Sequence, residues 1–325
     1  MAEERLFVAC REGNVQEVQE LLQNLQLNTN FSQTLRKKKK KTQEEDGETP
    51  FFTACEHGHT DIVKILLNDR RVNVTKANDD GKTPFYVACF RGHYDVVKEL
   101  LVLGDDKIGV NQAEKRNNRT PFYIACRNGD MKIVELLLNS PKVEVNEVDK
   151  NKRTPLYIAC ERGHSKIVEL LLTDERVARN VTQEDDDGWT AFDAACWKGQ
   201  IEIVKLLKET KREEFKNPLN AHKLARKNGH TQIVDYLEKM DLQESKNPKF
   251  PDLWKAAIDN KIQEVERLLA EDDFSKDLEE TRVNGNPLLI NTVLKDYYMV
   301  TKTLLDDGKV SLKKFFFFLS FSFFF

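Results

Sequence analysis

Apolar and polar positions fall into one arrangement that returns along the chain. From Thr154, "TPLYIACERGHSKIVELLL" runs as a short apolar block closed by a glycine, then a second block spaced Ile-Val and Leu-Leu-Leu. The same sentence reads "TPFFTACEHGHTDIVKILL", "TPFYVACFRGHYDVVKELL" and "TPFYIACRNGDMKIVELLL" further upstream. Each copy predicts a pair of helices. Thr before Pro supplies an N-cap followed by the favoured first-turn proline, and the Gly four residues before Ile-Val ends the first helix. The second helix of one copy carries Ile133, Val134, Leu136, Leu137 and Leu138, an apolar stripe too wide for an isolated pair to bury. Stacking on neighbouring copies is the way to bury it.

Degenerate copies extend the series: "LFVACREGNVQEVQELL" before it, and "TAFDAACWKGQIEIVKLL", "NAHKLARKNGHTQIVDYL", "LWKAAIDNKIQEVERLL" and "NPLLINTVLKDYYMVTKTLL" after it, giving a count of nine. With its Thr-Pro, Ala and Gly marks at fixed offsets, the unit resembles the ankyrin repeat, whose period is about 33 residues with a Thr-Pro-Leu-His-x-Ala signature. The resemblance covers residues 2 to 312 and implies an all-α solenoid of helix-turn-helix units joined by short hairpin loops. One departure is plain: Phe52, Tyr86, Tyr123 and Tyr157 stand where the signature has histidine. The turn-bracing hydrogen bonds usual in the family are therefore not carried over to these copies.

Cys160 and His164 lie four residues apart, on one helix face, which raises a nucleophile with its base or half of a metal site. Comparison among the copies weighs against both. The cysteine recurs as Cys10, Cys55, Cys89, Cys126, Cys160 and Cys196, while the histidine position reads Asn14, His59, His93, Asp130, His164 and Gln200. A catalytic base would not be optional, and histidines that appear once per layer do not converge on a metal. The pattern predicts a small thiol buried between helices and a histidine closing a turn. Helices packed about 8–10 Å apart also exceed the roughly 7 Å Cα limit of a disulfide.

Organisation along the chain follows from these copies. Residues 1–240 read as repeats one to seven, with a basic loop insertion at 27–47. Residues 241–251 read as an irregular linker, 252–312 as degenerate repeats eight and nine, and 313–325 as a Phe-rich tail. The insertion carries the basic run Arg36 to Lys41, followed by Glu44, Glu45 and Asp46. It reads as a solvated loop, with a nuclear localisation signal or polyanion patch as the other reading. The spacing from Ala225 to Ala256 is near one period, so a continuous stack and two shorter arrays both fit the linker. The tail is shorter than the roughly 20 residues a membrane span needs. The preferred reading is translation of a pyrimidine-rich non-coding stretch, with a membrane-touching tail as the lesser one.

Composition narrows the function. The chain has 325 residues, 40% hydrophobic and 32% charged, enough apolar content to fold. A net charge of -3 gives no global pull toward nucleic acid or an anionic membrane. The start, "MAEERLFVACREG", lacks the basic flank and apolar core of a secretory signal, so a cytoplasmic location is expected. No phosphate-cradling glycine loop, His-Glu-x-x-His helix, Gly-x-Ser-x-Gly elbow or kinase signature occurs in the sequence, so neither catalysis nor a cofactor is expected.

The resemblance instead implies protein binding on a concave face, as a scaffold or adaptor. In the family, contacts come mainly from the hairpin residue before Thr-Pro and from the two residues before the closing Gly. Here the first row reads Glu48, Lys82, Arg119, Arg153 and Trp189. The second reads Glu56-His57, Phe90-Arg91, Arg127-Asn128, Glu161-Arg162 and Trp197-Lys198. Trp189, Trp197 and Phe90 are candidate exposed anchors, with packing on the neighbouring hairpin as the other reading for either tryptophan. Lys82, Arg91, Arg119, Arg153, Arg162 and Lys198, with Arg127 beside them, make a basic ridge that suits an acidic or phosphorylated partner segment, or simply solubilises the hairpins. The expected partner is another protein or peptide, with no small-molecule substrate. Two other readings remain open: the regulatory array of a larger protein, and an enzyme using a reactive Cys/His pair.

Overall fold

The computed structural model describes residues 2–24, 27–30, 47–209, 218–244, 252–253, 256 and 261–271. The basic run Arg36 to Lys41, most of the segments expected at 241–251 and 252–312, and the Phe-rich tail lie outside the described residues. The chain divides into two compact units. One comprises residues 1–194 and 205–212; the other comprises residues 195–204 and the chain from 213 onward.

The architecture is an all-α helical-repeat solenoid. In the first unit, helix pairs follow one another: α1 (Ala2–Glu12) with α2 (Val15–Leu22), α3 (Pro50–Glu56) with α4 (Thr60–Leu67), and α5 (Pro84–Arg91) with α6 (Tyr94–Leu101). After a short α7 (Asp105–Ile108) come α8 (Pro121–Asn128) with α9 (Met131–Leu138), then α10 (Pro155–Arg162) with α11 (Ser165–Thr173), and a short α12 (Glu175–Ala178). First helices stack on first helices, from α1 through α3, α5 and α8 to α10, and second helices stack likewise. Beyond these lie α13 (Ala191–Lys198), α14 (Ile201–Glu209), α15 (Pro218–Lys227), α16 (Thr231–Glu244) and α17 (Ile262–Glu271). In the second unit α15 packs on α16.

The caps form as their chemistry dictates. Thr49, Thr83, Thr120 and Thr154 are extended, and the Oγ1 of each accepts the backbone N–H three residues on, at 3.0–3.1 Å, with proline in the first turn. Each hydroxyl satisfies a donor that the helix start leaves orphaned. The second helices bury their stripe, as with Ile133, Val134 and Leu137 in α9, and the first helices bury nearly a whole side, as with Phe122 to Cys126 in α8. Between them runs a continuous core that no single pair could close.

Turns between the paired helices are tied across layers by histidine. His59 Nε2 lies 3.0 Å from the Arg11 carbonyl, His93 Nε2 lies 2.8 Å from that of Glu56, and His164 Nε2 lies 3.1 Å from that of Arg127. A carbonyl can only accept, so Nε2 carries the proton in each. Where Asp130 replaces the histidine, Asn128 takes over and donates its Nδ2–H to the Phe90 carbonyl at 2.8 Å. The ring needs room. Gly129 has φ +87°, and a Cβ there would stand 2.7 Å from the His164 ring, so backbone conformation and close approach both require glycine. The second unit repeats the device, with His230 Nε2 2.9 Å from the Trp197 carbonyl.

Thr190, ahead of α13, departs from the Thr-Pro rule and shows another cap. Its N–H and hydroxyl donate to Asp193 Oδ2 at 2.9 and 2.7 Å, and the Asp193 N–H donates to Thr190 Oγ1 at 3.3 Å, a reciprocal box. Burial pushes the Asp193 carboxyl up to about 6, against the lowering effect of the Thr190 bonds and helped by the charges of Asp185 and Glu184. Its folded value lies above the unfolded 3.8, so the folded state holds the proton more tightly and stability is lost as pH rises through that window. Asp193→Asn keeps the acceptor and removes the charge. Urea titrations should show the variant more stable than wild type above pH 6, by on the order of 2 kcal/mol, with the gap closing toward pH 4. A gap independent of pH would contradict the assignment.

Candidate functional site

Four hairpins of the described residues begin with a buried or half-buried polar residue whose side chain folds the loop over itself. Asn78 Oδ1 accepts from the Lys82 N–H at 3.0 Å, Asp149 Oδ1 from Asn151 and Arg153 at 2.9 and 3.1 Å, and Asp185 Oδ1 from Asp187 and Trp189 at 2.9 Å each. In the loop between those of Asn78 and Asp149 the longer Glu114 does the same for Arg116 and Asn117. These Asx-type closures stack through one backbone bond per layer: Lys115 to the Asp80 carbonyl, Lys150 to that of Asn117, and Asp186 to that of Asn151, at 2.9–3.1 Å. The result is a row in which the residue before each Thr-Pro or its equivalent is held at a fixed height.

The tyrosines that replace the signature histidine brace the following hairpin. Tyr123 donates its hydroxyl to Asp149 Oδ2 at 3.0 Å, and Tyr157 hydrogen-bonds Asp185 in the next layer. The loss of turn bracing inferred from the missing histidine is thus made good by a different donor reaching forward. Asp149 is the centre of this part. Its side chain has no solvent exposure, and Arg153 donates to Oδ2 through Nε at 3.1 Å and Nη2 at 2.8 Å. Burial works to raise the Asp149 carboxyl, but the side-chain and backbone bonds from Arg153 and the Asn151 N–H outweigh it and hold it below the ordinary carboxylate value.

The basic ridge is therefore not a row of free charges. Arg153 faces Asp149, Arg119 lies over the Tyr123 ring with its Nε 4.0 Å from Asp149, and both side chains are 20% exposed. Lys82 lies 3.7 Å from Asp80, and Arg91 reaches across a layer to Glu56 at 2.6 Å. Arg162 is exposed and Arg127 half-buried. Phe90, expected as an exposed anchor, is half-buried: it stacks on Tyr86, and Arg91 and Lys82 sit over its ring at 5.3 and 5.9 Å. Trp189 is half-buried in the first unit. Trp197 is half-buried in the second, under the Lys198 ammonium at 3.8 Å. The aromatic faces are partly covered because a cation gains from resting on them.

Two arginines that the repeat pattern did not single out hold the longer connections. Arg71 is paired with Asp69 and donates to the Leu22 and Asn24 carbonyls. Arg176 is paired with Asp174 and donates to the Leu138 carbonyl. Each caps the end of the preceding second helix, where carbonyls lack helical partners. Their shared Asp-x-Arg spacing was the available signal.

The Cys/His question is settled by geometry. His164 turns to the Arg127 carbonyl, and Cys160 is buried, its thiol pushed up by desolvation. All six cysteines are buried thiols outside any disulfide; Cys10 is pushed up to about 12. Among the described residues no group of three His, Cys, Asp or Glu side chains gathers as a metal site, and no helix is long and apolar enough to cross a membrane. An aromatic disulfide reagent should find essentially no reactive thiol in the native protein and all six after unfolding. Rapid labelling of native Cys160 would contradict this packing.

The arrangement is that of a helical-repeat protein whose hairpins and first-helix ends form a continuous row of side chains. A family model described as "Ankyrin repeats (3 copies)" matches residues 6–112, 101–185 and 122–220, together more than half of the chain, and the protein belongs to the ankyrin-repeat family. No curated protein matches it.

Proposed function

We propose that this ankyrin-repeat protein is an interaction scaffold or adaptor that holds an acidic segment of a partner protein. In the first unit Lys82, Phe90, Arg91, Arg119, Arg127, Arg153, Arg162 and Trp189 line the row, and in the second Trp197 and Lys198 hold the corresponding places. The observation that carries this reading is the support beneath the row. Buried Asn78, Glu114 and Asp149 and half-buried Asp185 fix the hairpins, so the side chains above them are preorganised and lose little entropy on binding. Arginine in fixed positions suits carboxylate or phosphate geometry, and the cation-covered aromatics add apolar contact once a partner displaces the cations. Six cysteines held as thiols fit a reducing compartment, and the cytoplasm is the location this reading favours. Entry to the nucleus through Arg36 to Lys41 belongs to the same reading. An array of random dodecapeptides sorted by net charge tests it: captured peptides should be strongly acidic, with capture weakening as salt rises. Equal capture of neutral and basic peptides would remove the acidic-partner reading.

A further inference from the structure

Charges across consecutive layers follow a register. The residue one before the closing Gly in one layer faces the residue two before it in the preceding layer, as Arg91 faces Glu56 at 2.6 Å. Asn128 uses the same register to reach the Phe90 carbonyl. One layer later the register sets Arg162 against Arg127, like charge against like.

The conflict is not relieved locally. Arg127 Nε is buried and has no acceptor among the described residues, and the same holds for Arg119 Nε. Asp149, 4.0 Å from Arg119, is beyond hydrogen-bond distance. Its Oδ2 already accepts from Tyr123 and twice from Arg153, and its Oδ1 from two backbone N–H groups. Desolvation, then the charges of Arg162 and Arg119, lower Arg127 from its ordinary value. Glu161 acts on Arg153 and Tyr157 in the next layer. Four guanidiniums, Arg119, Arg127, Arg153 and Arg162, thus outnumber the carboxylates beside them, Asp149, Glu161 and the buried Glu114 that accepts the Arg119 N–H.

We propose that Arg119, Arg127 and Arg162 form a binding site for a phosphate monoester on a partner peptide. The inference rests on the acidic-partner reading and sharpens it. A phosphate dianion supplies the charge the cluster lacks, and its three acceptor oxygens meet the orphaned Nε–H donors together with the exposed Arg162. A single carboxylate brings half the charge and fewer acceptors. The site lies between two layers of one stack, with Asp149 and Tyr123 beside Arg119, so binding asks only that the arginine side chains turn their buried Nε–H groups toward the ligand while the backbone stays in place.

Fluorescence anisotropy with four dodecapeptide libraries tests this, each randomised except at a central residue that is phosphoserine, phosphotyrosine, glutamate or serine. The phosphorylated libraries should bind about tenfold or more tighter than the glutamate library. Arg162→Ala, at an exposed position, and Arg127→Ala should each erase that preference, while Arg179→Ala should keep it. Arginine Nε–H NMR signals titrated with inorganic phosphate should shift saturably at Arg119 and Arg127. Equal binding of the phosphorylated and glutamate libraries overturns the phosphate site and leaves the acidic-partner reading standing. Failure of all libraries to bind overturns both. Binding of phosphoinositide vesicles in preference to every peptide also overturns the proposal, assigning the cluster to a membrane headgroup.

Discussion

Asp149→Ala should cost about 3 kcal/mol of stability, far more than removing any surface ion pair of this protein. Breaking a buried, hydrogen-bonded pair from one side leaves the other charge without its partner, at about 3–5 kcal/mol. The partial exposure of Arg153 places the value at the lower end. Three side-chain donor atoms lose their acceptor at once: the Tyr123 hydroxyl, Arg153 Nε and Arg153 Nη2. Two backbone N–H groups of the hairpin lose theirs as well. The effect carries a pH signature. The folded carboxyl lies below its unfolded value of 3.8, so its contribution is fully present above that pH and is lost as pH falls through the folded value. Wild type and variant should therefore differ by a constant amount near neutrality and converge in acid. Asp149→Asn, which keeps the Oδ1 acceptor for the loop, should fall between them. Removing the exposed Arg179–Glu175 pair, by contrast, should change stability by about 0.5 kcal/mol or less. An Asp149→Ala loss no larger than that would show the network to be ornamental.

Phe122→Ala should cost about 3–5 kcal/mol, through the lost apolar burial and the cavity left between layers. Phe122 is 1% exposed on α8, the helix that packs on α5 before it and α10 after it. A lesion there weakens two interfaces. Stability in a stacked array is approximately a sum of unit and neighbour terms, so a defect in the middle should split denaturant unfolding into two steps where wild type shows fewer. Truncating Leu6 in the terminal helix α1, which is equally buried, weakens one interface and should leave the remaining transition sharp. Circular dichroism and tryptophan fluorescence followed in parallel would separate the steps. Coincident, unshifted transitions for Phe122→Ala would contradict the packing order.

Much of this was legible because the chain states it several times. Thr83, Pro84, Cys89 and Gly92 and their counterparts recur at fixed offsets, so the caps, the turn glycine and the buried thiol could be read from local chemistry alone. Repetition also disposed of the Cys160/His164 pair: a base that is Asp130 in the preceding copy cannot be essential. The cross-layer contacts were not legible. Tyr123 and Asp149 are separated by a helix pair and a loop, and the family signature has histidine where this chain has tyrosine, so the position suggested loss when the structure shows replacement. Composition at the hairpin positions likewise gave the sign of Arg119 and Arg153 but not their direction; only the placement of Asp149 shows that both turn inward. Phe90 and Trp197 were read as exposed from their side of the helix, but neighbouring Arg91 and Lys198 lie over their rings. Whether a cation covers an adjacent aromatic depends on rotamers that spacing does not fix.

The claim that partners are held on the hairpin and first-helix row is tested most directly by arginine footprinting. The protein is treated with phenylglyoxal alone and with a saturating acidic dodecapeptide from the array, and modification is read at each arginine by mass spectrometry. Binding on the row protects Arg91, Arg127 and Arg162 while Arg5 and Arg179, exposed elsewhere, react as before. Protection of Arg5 or Arg179 with the row left reactive would place the partner on another surface and contradict the proposed function.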